Sequence, residues 1–215
     1  MPCYNLHTHK VAQDADTVAL VNQYPWEFDV TIPLYSIGIH PWYINEERLE
    51  SDLKLIEDKL ALKECLALGE CGLDKRIEVP MALQLEVFEK QIDLAEKYQK
   101  PLVLHLVAAF DELLAIKKQK NISVPIIIHG FSKNKQVAQQ LLEAGFYLSF
   151  GKYLLRNPEL KAVFLSIPND RFFLETDTIE ESLNEVYALA ADYKMMSIAE
   201  MKSTVAANWN RVFGS

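Results

Sequence analysis

Short apolar runs recur along the chain, and from about residue 46 onwards they alternate with stretches whose apolar residues keep a helical period. Residues 3–6, 17–22 (TVALVN) and 34–40 (LYSIGIH) read as three strands joined only by short polar and aromatic connections, so the early helices are expected to be missing or stunted. Residues 46–62 carry Leu49, Leu53, Ile56 and Leu60 at spacings of four, three and four, the pattern of an amphipathic helix. A strand at 65–71 (CLALGEC) follows. Pro80 then opens a helix where its missing N–H costs nothing, with Met81, Leu85, Phe88, Ile92 and Ala95 as its apolar stripe. The alternation continues with a strand at 102–106, a helix at 111–118, a strand at 124–129 and a helix at 133–144 that stops at Gly145. A strand at 146–150, a weaker helix at 158–166 and a last strand at 172–176 complete the series. Two capping boxes, Thr178 with Glu181 and Ser197 with Glu200, predict the final two helix starts, and Ile198, Met201, Val205 and Trp209 line one face of the last helix.

Strands that are apolar throughout, rather than alternating, are those buried on both faces, which points to parallel pairing. Eight of them alternating with helices predict an α/β fold of the TIM-like (β/α) barrel type. A doubly wound open sheet would carry a Gly-rich turn after its first strand, and this chain has none. At 215 residues the chain is shorter than the usual barrel of roughly 250, so the barrel is expected to be trimmed or irregular and to occupy residues 1–215 as one domain.

Composition narrows the function. No apolar run is long enough to span a membrane, and no basic segment followed by an apolar one opens the chain, so a cytoplasmic protein is expected. The three cysteines form no CxxC pair, which fits reduced thiols buried as small apolar groups. A net charge of −8 argues against a broad basic surface for gripping nucleic acid; a phosphate would have to be held locally.

The candidate chemistry collects at strand ends. All five histidines, His7, His9, His40, His105 and His129, fall at or near the C-terminal ends of predicted strands, which form the catalytic face of a barrel. His7 and His9 are two apart and so share a strand face. Glu70 ends the fourth strand and Asp177 follows the eighth. Singly, His105 and His129 read as hydrogen-bonded core histidines, and Glu70 and Asp177 as strand-end carboxylates capping a loop or helix. Together they form a set of imidazoles and carboxylates that a divalent cation would hold in place, keeping the carboxylates ionised. Lys75, Arg76, Lys133, Lys135, Lys152 and Arg156 follow strands on that same face, and of these Lys133 and Lys152 are the candidate phosphate contacts.

The segments His7-Thr8-His9, Gly38-Ile39-His40-Pro41, Gly69-Glu70-Cys71-Gly72-Leu73-Asp74, Pro101-Leu102-Val103-Leu104-His105, Ile128-His129-Gly130-Phe131-Ser132 and Glu175-Thr176-Asp177 together resemble the TatD family of metal-dependent deoxyribonucleases, within the amidohydrolase superfamily of barrels. The resemblance implies that His7, His9, Glu70 and Asp177 hold one divalent metal, that Glu70, His105 and His129 hold a second with Glu70 bridging, and that His40 touches substrate without coordinating. The mixed nitrogen and oxygen donors suit Mg, Mn or Zn. In such a site two cations lower the pKa of a bound water, Asp177 takes its proton as general base and Glu70 fixes the spacing of the ions. Three features depart from the family. Asn5 stands where an acidic residue is usual, Leu106-Val107 replaces a Ser-Arg pair, and Asp177 is expected to run straight into a capped helix where a proline-rich, Arg- and Asn-containing loop is usual. The expected substrate is therefore DNA cut from an end, with a small ester, lactone or amide as the alternative and a metal-retaining protein without turnover as a third reading. Neither a membrane nor an obligate protein partner is implied. Trp26 and Trp42 are large enough to stack on a base, although aromatics in such chains are more often packing.

Overall fold

The computed structural model describes residues 1–12 and 14–214. Its strands are β1 (Cys3–Thr8), β2 (Thr17–Gln23), β3 (Tyr35–Ile37), β4 (Cys65–Asp74), β5 (Leu102–Val107), β6 (Ile126–Ile128), β7 (Tyr147–Phe150) and β8 (Phe172–Leu174), and they succeed one another in the sheet in chain order. The helices are α1 (Leu49–Leu60), α2 (Met81–Tyr98), α3 (Phe110–Lys120), α4 (Lys135–Glu143), α5 (Lys152–Arg156), α6 (Leu160–Ser166), α7 (Leu183–Lys194) and α8 (Ile198–Phe213). As the pattern predicts, no α-helix precedes Leu49 among the described residues; 3-10 turns at Pro25–Glu27 and Pro41–Tyr43 take their place. The chain divides into two compact units, residues 1–21 with 128–215, and residues 22–127.

In the first unit β1 pairs with β2 in parallel from Cys3 opposite Thr17, and β7 pairs with β8 from Leu148 opposite Phe172. Its core is aromatic, with Phe146, Phe150, Phe164, Phe172 and Phe173 fully buried. The Tyr187 hydroxyl, on α7, accepts from the Tyr4 N–H and donates to the Tyr4 carbonyl, both at 2.9 Å. Trp209 of α8 packs its ring 4.9 Å from that of Tyr4. Ser197 and Glu200 form the expected capping box of α8, but Ile198 is exposed, so the inward face begins at Met201.

One helix start differs from expectation. Ser182, not Thr178, caps α7, with Glu185 as its partner, while Glu181 makes a bidentate pair with Arg156 of α5. Asp177 therefore does not run straight into a helix. The intervening segment is needed because Asp177 is bonded to the end of β1 and buried Ile179 must be seated before a helix can begin.

In the second unit β4 pairs in parallel with β3 and with β5. Strand β4 runs past Cys71 to Asp74, so Glu70 lies inside it and not at its end. Its register with β5 shifts between Leu68 and Cys71, an irregularity that re-aims the side chains there. Gly72, at φ +131°, belongs to the same crowded stretch: a Cβ there would stand 2.1 Å from the His105 carbonyl oxygen.

The inward face of α2 differs from its predicted stripe: Gln84, Val87, Phe88, Gln91, Ile92 and Ala95 are buried, and Met81 and Leu85 only partly so. Buried amides are costly unless bonded, and both glutamines are bonded. Gln91 accepts from the Ile39 N–H at 2.8 Å and donates to the Ile39 carbonyl at 3.1 Å, whereas Gln84 does the same for Asp74 at 2.8 and 3.0 Å. Both amides thus pin the backbone beside a candidate site residue. Cys3, Cys65 and Cys71 are free and buried as expected, and burial pushes the Cys65 thiol up to about 12.

Candidate metal centre

In the first unit His7 and His9 leave β1 on one face, and Asp177 meets them from beyond β8. The Asp177 N–H donates to the His7 carbonyl at 2.9 Å and the His9 N–H to the Asp177 carbonyl at 3.3 Å, which holds Asp177 at φ +53°, a conformation few residues other than glycine adopt. Asn5 secures the neighbouring residue by exchanging two bonds with Thr176, side chain to side chain at 2.8 Å and Thr176 N–H to amide oxygen at 3.0 Å. The Asn5 amide donates to the hydroxyl and accepts the N–H, so both of its polar ends are used on one residue.

Asp177 Oδ1 lies 3.8 Å from His7 Nε2 and 3.5 Å from His9 Nε2. Ligand atoms bound to one ion at about 2.0–2.2 Å stand about 3–3.6 Å apart, so this spacing matches a shared cation with little adjustment. All three donor atoms lie within 4.8 Å of one another. The His129 ring sits 4.3 Å from that of His7, and its Nδ1 faces Glu175 Oε1 at 3.4 Å. Glu175 also accepts the Gly130 N–H at 2.8 Å. Burial pushes its carboxyl up, but His129 and His7 outweigh that and hold it below the usual carboxylate range. An ionised acceptor at Nδ1 fixes the proton there, so the lone pair of His129 lies on Nε2.

The second unit holds His40, Glu70, His105 and Asp74. His40 Nδ1 accepts from the Trp42 N–H at 3.1 Å, so in the neutral ring the proton is on Nε2, which lies 3.1 Å from Glu70 Oε1 and donates to it. By spacing alone His40, Glu70 and His105 can share an ion. The tautomer makes His40 a donor at Nε2.

His105 is placed differently, for its Nδ1 lies 3.1 Å from Glu70 Oε1 and its Nε2 lies 3.2 Å from Asp74 Oδ2. A neutral imidazole has one N–H to offer two carboxylates, so its remaining lone pair faces an anion unless a cation stands between them. Burial pushes the Asp74 carboxyl up, but bonds from the Trp42 indole, the Arg76 N–H and His105 hold it below the usual range. With the proton on Nε2, Asp74 takes it and Glu70 faces the lone pair, which is the donor set a divalent metal fits.

Asp74 and Glu175 carry these two arrangements, and no role is legible for either in the sequence. The available signal was the strand period: Asp74 is four residues beyond Glu70 and Glu175 two before Asp177. Of the basic residues expected near the site, Lys75 is paired with Glu112 at 2.7 Å and Arg156 with Glu181. Lys133 and Lys152 are half-buried, Lys152 with its ammonium 5.8 Å from the Tyr153 ring centre.

Residues 16–214 match the family model described as TatD related DNase. The chain is 32% identical over 195 residues to an uncharacterized metal-dependent hydrolase, YabD, of Bacillus subtilis, an alignment that covers 83% of this chain and 76% of YabD. It is 30% identical over 146 residues to the 3'-5' ssDNA/RNA exonuclease TatD of Citrobacter rodentium, covering 65% of this chain and 55% of that protein, little more than half its length. The crystal structure of the TatD homolog YjjV of Escherichia coli K12 superposes with a TM-score of 0.84 at 18% identity, over 99% of this chain and 98% of that one. That likeness, with eight strands in chain order, establishes the TIM-like (β/α) barrel fold.

Proposed function

The chain belongs to the family of TatD related DNases, and from that premise we propose that it is a metal-dependent phosphodiesterase that removes nucleotides from the end of a nucleic acid. The observation that carries the proposal is His105, whose two ring nitrogens face two carboxylates in a nearly buried setting. His7, His9 and Asp177 in one unit, Glu70 and His105 in the other, and His129 through Nε2 would hold two divalent ions, Mg, Mn or Zn. When bound, such ions withdraw charge from the phosphoryl group and make water a nucleophile near neutral pH.

The protein's own residues do the rest. The Asp177 side chain keeps about a quarter of its surface in solvent, which lets it accept a proton from the attacking water and pass it on. His40, held as the Nε2–H tautomer, donates to a phosphoryl oxygen when substrate displaces its bond to Glu70. Glu70 would supply a buried carboxylate to hold the metal. Lys133 and Lys152 supply local positive charge for the backbone of the strand. No described helix is long and apolar enough to cross a membrane.

End-labelled oligonucleotides incubated with Mg, Mn or Zn should lose nucleotides stepwise from one end, and chelation should abolish the loss. Purified protein with no bound metal, or intact oligonucleotides under every metal, would overturn the proposal. A small ester, lactone or amide substrate is the second reading, favoured by the ion pairs that occupy Lys75 and Arg156, and a panel of generic esters decides between them.

A further inference from the structure

Trp42 is about half exposed, unlike most large aromatic side chains of this protein. Its backbone is fixed by the 3-10 turn Pro41–Tyr43 and by its own N–H bond to His40 Nδ1. Its far end is fixed as well, since the indole Nε1–H donates at 2.8 Å to Oδ2 of buried Asp74, the same oxygen that faces His105. Held at both ends, the ring stands close to perpendicular to His40 at 5.1 Å and to His105 at 5.6 Å. Trp26, the other tryptophan in this region, is already used: it stacks on Tyr24 at 4.9 Å and carries the Arg48 guanidinium 4.0 Å from its ring centre.

We infer that Trp42 is the stacking platform for an unpaired nucleobase of the substrate strand. The inference rests on the nucleic-acid reading above and deepens it. An indole that is rigid before the ligand arrives loses little entropy when a base lies against it. It adjoins the imidazole that would donate to the reacting phosphate, so the base of that nucleotide or its neighbour falls within reach. The charge balance argues the same way. A chain of net charge −8 repels a polyanion outside the few basic loops, and must draw affinity from contacts that carry no charge. Stacking is such a contact, and because every base has a π-face it tolerates any sequence. An unpaired strand offers such a face at every base, whereas a duplex offers one only at its terminal pair, so the occupant is a single-stranded end.

The test is a cycle of binding measurements on the full chain with bound metal. Ligands are a fluorescent single-stranded oligonucleotide protected at its end by phosphorothioate linkages and the same strand made abasic at its terminal two positions. Trp42→Ala should raise Kd for the intact strand by about 5- to 100-fold and leave Kd for the abasic strand nearly unchanged. Trp42→Phe, which keeps a ring but not the bond to Asp74, should recover part of the loss. Equal losses on both strands, a Phe variant no better than the Ala variant, or no binding of the intact strand would each overturn the inference. Absence of strand cleavage beside an intact binding cycle would overturn the nuclease reading and leave the platform standing.

Discussion

Asp74→Asn is the sharpest perturbation the geometry offers. Asp74 receives three donors on two oxygens: the Arg76 N–H on Oδ1 at 2.8 Å, and the Trp42 indole and His105 Nε2 on Oδ2 at 2.8 and 3.2 Å. An amide has one oxygen and one NH2, so at least one donor must face an N–H. If the NH2 turns towards His105, the imidazole proton moves to Nδ1 and the lone pair that faces Glu70 is lost. If it turns towards Arg76, the tautomer survives but the imidazole loses the anion that made it a stronger ligand. Removing such a carboxylate typically weakens metal binding about 10- to 100-fold, or about 1.4–2.8 kcal/mol. The mismatched bond adds about 1–3 kcal/mol of instability, roughly 2–10 °C in Tm for a chain of this size. The assay is competition for manganese by a chelator of known affinity, together with ring-nitrogen NMR of the metal-free protein to read the His105 tautomer. Wild-type affinity combined with an unchanged Nε2–H tautomer in Asp74→Asn would refute the reasoning.

Other perturbations separate the remaining roles. Asp177→Asn should lose at least about 100-fold in turnover with only partial loss of metal, whereas Glu70→Ala should weaken metal binding throughout; equal metal loss in the two would reduce Asp177 to a ligand. Gly72→Ala places a methyl carbon against the His105 carbonyl oxygen at a backbone angle that favours glycine, and should cost about 2–5 kcal/mol by denaturant titration; a smaller loss means β5 can yield. Glu96 accepts the Ser123 N–H and hydroxyl and the Val124 N–H at 2.6, 2.7 and 3.0 Å. Burial pushes its carboxyl up, but these bonds outweigh that and hold it below its ordinary value. Its stabilisation, about 1 kcal/mol after screening, is therefore complete above its unfolded pKa and vanishes as pH falls through the lower folded one. The Tm difference between wild type and Glu96→Gln should accordingly be present at pH 7 and shrink as the pH falls below the ordinary glutamate value, and a constant difference would contradict the sign.

Period and chemistry were legible in the sequence because they are local. Apolar runs of strand length, the four-three-four spacing of α1, the Ser197–Glu200 box and the two-residue step from His7 to His9 each depend on neighbours a few positions away. What depended on residues far apart in the chain was settled only by the tertiary structure. Thr178 and Ser182 both head acceptable capping boxes, and the bonds tying Asp177 to β1 decide between them. Gln84 and Gln91 lie outside the apolar stripe predicted for α2 and are buried, because each bonds a backbone N–H and carbonyl of a distant residue, Asp74 and Ile39. Glu70 reads as a strand end because the apolar run stops near it; pairing with β5 carries β4 on to Asp74, and that extension brings Asp74 to His105. A side chain's chemistry belongs to its own residue, but its tautomer and charge are set by partners, such as Asp74 for His105 and Glu175 for His129, that folding alone places beside it.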